Sequence, residues 1–165
     1  MLPLKSLMAG RPGMGLAVAE SLTSGGVQAR VGSLSGASVF FRGGITAYTL
    51  EQKVRHLGVH RESAAACNCV SDEVARQMAR GAALLFEADI AVATTGYAEP
   101  WPAEKVEVPY AWWALAERLA DGQWLELSGR VECPEMDRAG VQALVSDTVL
   151  AALITHLEGS VEGTV

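Results

Sequence analysis

Short apolar runs bounded by glycine and polar residues recur along the chain, a pattern typical of strands that are buried on both faces. The first hundred positions contain three of them, at residues 14–19 (MGLAVA), 39–48 (VFFRGGITAY) and 88–96 (ADIAVATTG). Apolar residues at helical spacing between and after these runs predict helices over 24–33, 49–59 and 71–86. Ser71 is placed to cap the last of these, and Gly58 to end the one before it.

The remaining third of the chain carries a different pattern. Residues 97–109 contain three prolines and several charges, which predicts a loop. The runs at 110–116 and 123–129 predict two strands, and Asp121-Gly122 between them is typical of a hairpin turn. Apolar residues then recur at helical spacing over 136–157, with Gly159 as the predicted end of that helix.

Strands alternating with helices, followed by a hairpin and a closing helix, predict a three-layer α/β/α sandwich with a mixed, mainly parallel sheet. At 165 residues the chain is expected to form one domain, spanning 1–165. Ligands of such folds bind beyond the carboxyl ends of the strands. Ser21 and Thr95 follow two of those ends, so we expect them near one site.

Composition narrows the environment and the partners. Half of the residues are apolar and the formal net charge is -6, which disfavours a sequence-independent grip on nucleic acid. The sequence contains no run of 18 apolar residues, the length that predicts a membrane span. Arg11 and Pro12 interrupt the apolar region that a secretory leader needs, so no leader is expected. Three cysteines in a chain with an ample core do not indicate a disulfide framework. A cytoplasmic protein is expected.

Five segments are spaced along the chain in a recognisable order: AESLTSG (19–25), TAYTLEQK (46–53), VSDEVARQMARGA (70–82), TGYAEP (95–100) and ECPEMDR (132–138). They resemble the motifs A-E-S-C-T-G-G, T-Y-S-N-E-A-K, V-S-E-x-V-A-x-x-M-A-x-G-A, T-G-I-A-G-P and E-C-F-S-G-D-R of the CinA C-terminal domain family. The resemblance extends over about residues 14–157. Characterised members of that family are nicotinamide-nucleotide amidohydrolases.

The resemblance implies that the chain deamidates nicotinamide mononucleotide (NMN) to nicotinic acid mononucleotide and ammonia, without a cofactor and as a homodimer. It assigns Ser21 as the nucleophile and Lys53 as its base, and Tyr48 is expected to orient them or to relay a proton. Metal-free amide hydrolysis needs such a nucleophile, a base and donors for the oxyanion. A lysine acts as a base only where burial or nearby positive charge lowers its pKa.

Substrate contacts are expected from three places. Thr95 matches the threonine of the family's T-G motif, and Arg138, from its D-R pair, is suited to a phosphate or to lowering the pKa of Lys53. The amides around Thr23, Ser24 and Gly25 lie at a predicted helix N-terminus, which favours a phosphate or an oxyanion.

Other interpretations stay open at this point. Ser21 between a strand and a helix is in the usual place of a helix cap. The chain is alternatively a noncatalytic or retargeted family member that binds a nucleotide-like ligand or acts in assembly, or an amidase whose specificity Glu99 and Trp101 have changed. The loop from Tyr97 to Pro109 separates these hypotheses, since a filled pocket excludes NMN. The cysteines and histidines match no common zinc spacing, so no metal is expected.

Overall fold

A computed structural model describes residues 2–162 of the chain, and the surroundings of the side chains from residue 3 to residue 159. Within that part, the chain forms five strands and six α-helices. The strands are β1 (Leu16–Glu20), β2 (Phe41–Thr46), β3 (Ile90–Tyr97), β4 (Tyr110–Arg118) and β5 (Trp124–Glu132). The helices are α1 (Leu2–Ala9), α2 (Gly26–Gly32), α3 (Leu50–Leu57), α4 (Arg61–Ala66), α5 (Asp72–Leu85) and α6 (Arg138–Glu162).

The strands form one mixed sheet in the order β2-β1-β3-β4-β5. β1 pairs in parallel with both β2 and β3, whereas β4 runs antiparallel to β3 and to β5. Four of the five strands therefore point in one direction. The prediction of an α/β fold with a mixed sheet is confirmed.

The two faces of the sheet differ in side-chain size, and this difference sets which helices cover them. One face presents alanines of β1, β3 and β4, such as Ala17, Ala91 and Ala114, and packs against α3, α4 and α5. The other face presents larger residues such as Leu16 and Val92 and packs against α1, α2 and α6. Small side chains let a helix approach the sheet closely. The helices thus form two layers with the sheet between them.

Local signals set both ends of α3, the start of α5 and the turn between β4 and β5, and the roles of Gly58, Ser71 and Gly122 were predicted. The Thr49 side chain accepts a hydrogen bond from the Gln52 amide, and α3 ends at Gly58 in the left-handed conformation with φ of 65°. Ser71 caps α5 by accepting from the Val74 amide. Gly122 has φ of 84° in the β4–β5 turn. These are the positions where a hydroxyl or a glycine satisfies backbone geometry that other residues do not.

Three features differ from the sequence prediction. Helix α1 was not expected, yet Leu4 and Met8 lie one turn apart and are both buried. Helix α4 was also missed, because its six residues RESAAA carry no apolar periodicity. The predicted end of α6 at Gly159 is wrong, since the helix continues to Glu162 and Gly159 does not adopt the positive φ of a helix-ending glycine.

The stretch Arg138–Gly159 of α6 is long and apolar enough, by length and composition, to cross a membrane. Its apolar character has a simpler source in the fold. Val145, Val149, Leu153 and Leu157 recur at helical spacing and are fully buried. Helix α6 is therefore a core helix of this α/β domain.

Candidate active site

A cleft of about 510 Å³ lies at the sheet edge where β1, β2 and β3 end. This is where ligands of open α/β sheets bind. Five of the residues predicted from the sequence line it: Ser21, Tyr48, Lys53, Thr95 and Arg138. Parallel strands and the helices α3 and α6 bring these positions together from distant parts of the chain.

Ser21 is the first residue after β1, and its amide donates to the Thr94 carbonyl of β3 at 3.0 Å. The side chain is largely buried but lines the cleft. Helix α2 begins at Gly26 with Gly25 as its N-cap, so Ser21 does not cap it. The interpretation of Ser21 as a helix cap is therefore wrong.

Lys53 lies in the middle of α3 and is 1% exposed. Its Nζ is 2.9 Å from Ser21 Oγ, 2.9 Å from the Ala47 carbonyl oxygen and 3.0 Å from the Tyr48 carbonyl oxygen. Both carbonyls belong to the segment that joins β2 to α3, so the chain leading into the helix holds the amine. No other contact links Ser21 to a basic group in the described residues.

Burial lowers the pKa of Lys53 to about 8, because the ammonium loses hydration, while the nearby Cys69 acts weakly in the opposite direction. A neutral amine has two N–H bonds and one lone pair. When the two carbonyls accept those N–H bonds, the lone pair is left for the hydroxyl proton of Ser21. The geometry thus fits a lysine that removes a proton from a serine.

Tyr48 contributes differently from the expectation. Its backbone carbonyl holds Lys53, whereas its side chain is half exposed and its hydroxyl accepts from Arg138 Nη2 at 2.7 Å. Within the described residues, the hydroxyl makes no hydrogen bond to Ser21 or Lys53. A direct proton relay through the Tyr48 side chain is therefore absent from this arrangement.

Thr95 is buried in the wall of the cleft, and its hydroxyl donates to the Cys69 carbonyl at 2.7 Å. Its proton is therefore already committed to the protein. A substrate can use only the lone pairs of the Thr95 oxygen. The bond also ties β3 to the segment between α4 and α5.

At the N-terminal end of α2, where the amides around Thr23, Ser24 and Gly25 were predicted to receive an anion from the substrate, the structure places a carboxylate of the protein itself. The buried carboxylate of Glu20 accepts hydrogen bonds from the amides of Gly25, Val27 and Gln28 at 2.8 to 3.1 Å. A side chain of the protein thus already fills the N-terminal end of α2.

None of the three predicted residues lines the cleft. The Thr23 hydroxyl pairs with that of Thr94 at 2.8 Å, and Ser24 has φ of 50° in the turn.

The turn after Ser21 nevertheless leaves one backbone amide at the cleft without an acceptor in the described part of the chain. The Ser21 carbonyl accepts from the Ser24 amide, and the N–H of a trans peptide points away from its carbonyl. The Leu22 amide, in that same peptide, has no acceptor within the described part of the chain, and Leu22 lines the cleft. Gln142 fixes the next peptide by donating to the Leu22 carbonyl at 2.8 Å.

The mouth of the cleft carries an ion pair. Arg138 Nη1 donates to Glu99 Oε2 at 2.7 Å, and both side chains are about half exposed. The contact with Glu99, followed by that with Tyr48, raises the pKa of Arg138. Arg138 is thus held by Glu99, in the loop after β3, and by Tyr48, in the segment before α3.

The loop from Tyr97 to Pro109 leaves the cleft open. Trp101 pairs with Val106 across a single β-bridge, and a short 3-10 helix, Pro102–Glu104, turns the chain between them. Only the first part of the loop, including Glu99 and Trp101, lines the cleft. The loop shapes the mouth and does not fill it.

Asn68 and Cys69 also line the cleft, and sequence analysis did not assign them to it. Both have positive φ, 48° and 62°, and Asn68 Nδ2 donates to Tyr97 Oη at 3.2 Å. Burial raises the pKa of the Cys69 thiol. The only signal for this segment in the sequence was the pair Cys67 and Cys69 around Asn68, which matches no common metal-binding spacing and did not indicate a cleft wall.

Fold and cleft together define an α/β domain with a serine–lysine pair at the carboxyl edge of its sheet. Residues 6–157 match the family model of the CinA C-terminal domain. The chain therefore belongs to the CinA C-terminal domain family.

Relatives named as CinA-like proteins agree with this assignment. One from Syntrophomonas wolfei is 35% identical over 150 residues, covering 88% of this chain and 34% of that protein. One from Chlorobium limicola is 45% identical over 87 residues, covering 53% of this chain and 20% of that protein. The chain thus spans between a fifth and about a third of the length of these two relatives.

Solved structures share the whole fold. The competence damage-inducible protein A (ComA) of Klebsiella pneumoniae superimposes with a TM-score of 0.83 at 28% identity, covering 95% of this chain and 94% of that one. The competence/damage inducible protein CihA of Agrobacterium tumefaciens gives a TM-score of 0.77 at 27% identity, covering 95% and 93%. The family and the fold are thus established by sequence and by structure.

Proposed function

We propose that this protein is an amidohydrolase that converts nicotinamide mononucleotide to nicotinic acid mononucleotide and ammonia through a Ser21 acyl-enzyme. The observation that carries the proposal is the 2.9 Å contact between Lys53 Nζ and Ser21 Oγ in an open cleft. A buried lysine beside a serine hydroxyl is the arrangement that serine–lysine nucleophilic catalysis requires.

The first half-reaction forms the acyl-enzyme. Ser21 Oγ attacks the carboxamide carbon while Lys53 takes the hydroxyl proton, and negative charge develops on the carbonyl oxygen. The Leu22 amide is the nearest candidate donor for that oxygen, since it follows the nucleophile directly. The carbon–nitrogen bond then breaks, and Lys53 returns its proton to the nitrogen so that ammonia leaves.

The second half-reaction releases the acid. A water molecule attacks the ester carbon, Lys53 takes one of its protons, and the bond to Ser21 Oγ breaks. The proton on Lys53 then restores the Ser21 hydroxyl, and the product leaves as a carboxylate. A pKa of about 8 suits a base that accepts and returns a proton near neutral pH.

The proposal is tested by incubating the purified protein with NMN and measuring ammonia and nicotinic acid mononucleotide together. Equal amounts of the two products are expected from the wild-type protein. Ser21→Ala and Lys53→Met are each expected to abolish turnover. Ser63→Ala and Lys5→Met change the same residue types at exposed positions outside the cleft, and both are expected to retain wild-type rates.

A second measurement separates covalent catalysis from simple binding. Acid quenching during turnover is expected to trap a nicotinoyl-nucleotide adduct on the peptide that contains Ser21, detected by mass spectrometry. Folded wild-type protein that produces neither ammonia nor this adduct contradicts the proposal and favours a noncatalytic family member that binds a nucleotide-like ligand.

A further inference from the structure

The charges that line the cleft mouth are arranged to cancel. Among the described residues that line it, the lysine, arginine and carboxylate side chains are Lys53, Arg138 and Glu99. Lys53 is 1% exposed and its amine already contacts three oxygen atoms. Arg138 is thus the lining cation that a dissolved anion can reach.

Arg138 is itself already engaged. Its two terminal nitrogens contact Glu99 Oε2 and Tyr48 Oη, each at 2.7 Å. A phosphate that approached this guanidinium would meet the Glu99 carboxylate as well, and like charges at such distances repel. The Glu99 carboxylate therefore offsets the attraction of Arg138 for an anionic group before any substrate binds.

An exposed aromatic side chain lines the same cleft as this carboxylate. Trp101 is half exposed, lines the cleft two residues after Glu99, and packs edge-to-face on Tyr97 with ring centroids 5.8 Å apart. This packing holds the indole while leaving part of it open to solvent. A cleft lined by both a carboxylate and an open indole is an environment that favours a cation, through charge attraction and cation–π contact.

We infer that the cleft prefers a carboxamide borne on a cationic ring without a phosphate group, a nicotinamide nucleoside rather than the nucleotide, and that Glu99 sets this preference. The inference rests on the proposed function for its chemistry, since the same serine attacks the same carboxamide. It adds that the nucleotide is the poorer of the two substrates. Nicotinamide riboside carries the pyridinium charge alone, whereas NMN adds a phosphate dianion at neutral pH.

The preference is measured as the ratio of kcat/KM for nicotinamide riboside to kcat/KM for NMN. We expect the wild-type ratio to be about tenfold or more in favour of the riboside, the order of one close charge interaction near a protein surface. Glu99→Gln is expected to lower the ratio about tenfold, mainly through a lower KM for NMN. Glu99→Asp keeps the charge and is expected to keep the preference.

Two controls tie the effect to charge. Glu62→Gln removes a carboxylate from exposed helix α4, outside the cleft, and should leave the ratio unchanged. Raising the ionic strength from about 0.05 M to about 0.5 M should shrink the wild-type preference, because exposed charges are screened over a shorter distance. A purely steric role of Glu99 would not respond to salt.

Binding to the Ser21→Ala protein, measured by calorimetry with each compound, separates this inference from the proposed function. Tighter binding of the riboside that is lost in Ser21→Ala/Glu99→Gln supports the inference even if wild-type protein turns over neither compound. Turnover of NMN in preference to the riboside, unchanged in Glu99→Gln, overturns the inference and leaves the amidohydrolase intact. Binding of neither compound overturns both.

Discussion

The buried amine of Lys53 makes the stability of the protein depend on pH in a direction that can be calculated. Its pKa is about 8 in the folded protein against an ordinary value of 10.5. The unfolded chain therefore binds the proton more tightly than the folded one. Below pH 8 Lys53 is protonated in both states, and the pKa difference lowers the free energy of unfolding in full. This cost shrinks as the pH rises above 8 and is gone above pH 10.5, where Lys53 is neutral in both states.

The two pKa values fix the magnitude. The difference between 10.5 and about 8 corresponds to about 3 kcal/mol at low pH. Between pH 7 and pH 9 about 1.3 kcal/mol of this cost is relieved. Burial also raises the pKa of the nearby Cys69 thiol above its ordinary 9.0.

The perturbation is Lys53→Met, which keeps an unbranched side chain and removes the charge. It also leaves the Ala47 and Tyr48 carbonyls without their donor, but that cost does not vary with pH. The informative quantity is therefore the difference in pH dependence between the two proteins. Other titrating groups are common to both proteins and cancel, except Cys69, whose pKa the Lys53 charge lowers.

Urea unfolding followed by tryptophan fluorescence at pH 7, 8 and 9 supplies the measurement. The free energy of unfolding of wild-type protein is expected to rise by about 1.3 kcal/mol relative to Lys53→Met between pH 7 and pH 9. Exposed Lys5→Met should follow the wild-type curve. Parallel curves for wild type and Lys53→Met would show that Lys53 keeps an ordinary pKa, and the argument for a lysine base would fail with it.

Three further results are expected. On NMN, kcat/KM should rise about tenfold from pH 6 to pH 7 and level off above the Lys53 pKa of about 8, and a flat profile would exclude this base. Glu20→Ala leaves the amides of Gly25, Val27 and Gln28 without their acceptor and should lower the free energy of unfolding, measured in urea, by about 3 kcal/mol or more. Glu20→Gln keeps one acceptor oxygen and should have a smaller effect. Gly81→Ala would place a methyl carbon 2.1 Å from the Leu57 carbonyl oxygen and should lower stability by about 1 to 3 kcal/mol, whereas exposed Gly32→Ala meets no atom within 4 Å and should be tolerated.

The sequence was sufficient for the fold because each buried strand carries its own signal. Continuous apolar runs identified β1 and β3, a hydroxyl cap marked the start of α5, and a left-handed glycine marked the end of α3. Helix α4 escaped because packing, rather than periodicity, holds it in place: Ala64 is its buried residue. Tertiary context overrides weak local preference at such positions.

For the site, pattern alone did not suffice. Ser21 and Lys53 are 32 positions apart, and no spacing rule joins a serine after one strand to a lysine within a later helix. Family resemblance named the pair, and the lysine's burial follows from three-dimensional packing. Asn68 and Cys69 had no such guide, since their place in the cleft depends on two successive left-handed residues that sequence patterns do not reveal.

Glu20 occupies the place at the N-terminal end of α2 where the sequence predicted that an anion of the substrate binds. A glycine-rich turn before a helix is a ready anion site, and the turn does bind an anion, but the anion is the carboxylate five positions before Gly25. Alternation along β1 sends Glu20 to the side of α2, with Leu16 and Val18, and sends Ser21 to the side of α3, with Ala17 and Ala19. Two adjacent residues at one strand end thus have different roles. Glu20 stabilises the turn that follows the serine, and Ser21 contacts Lys53. Their order along the chain is essential, because a shift of one position would turn the carboxylate toward the amine and the hydroxyl away from it.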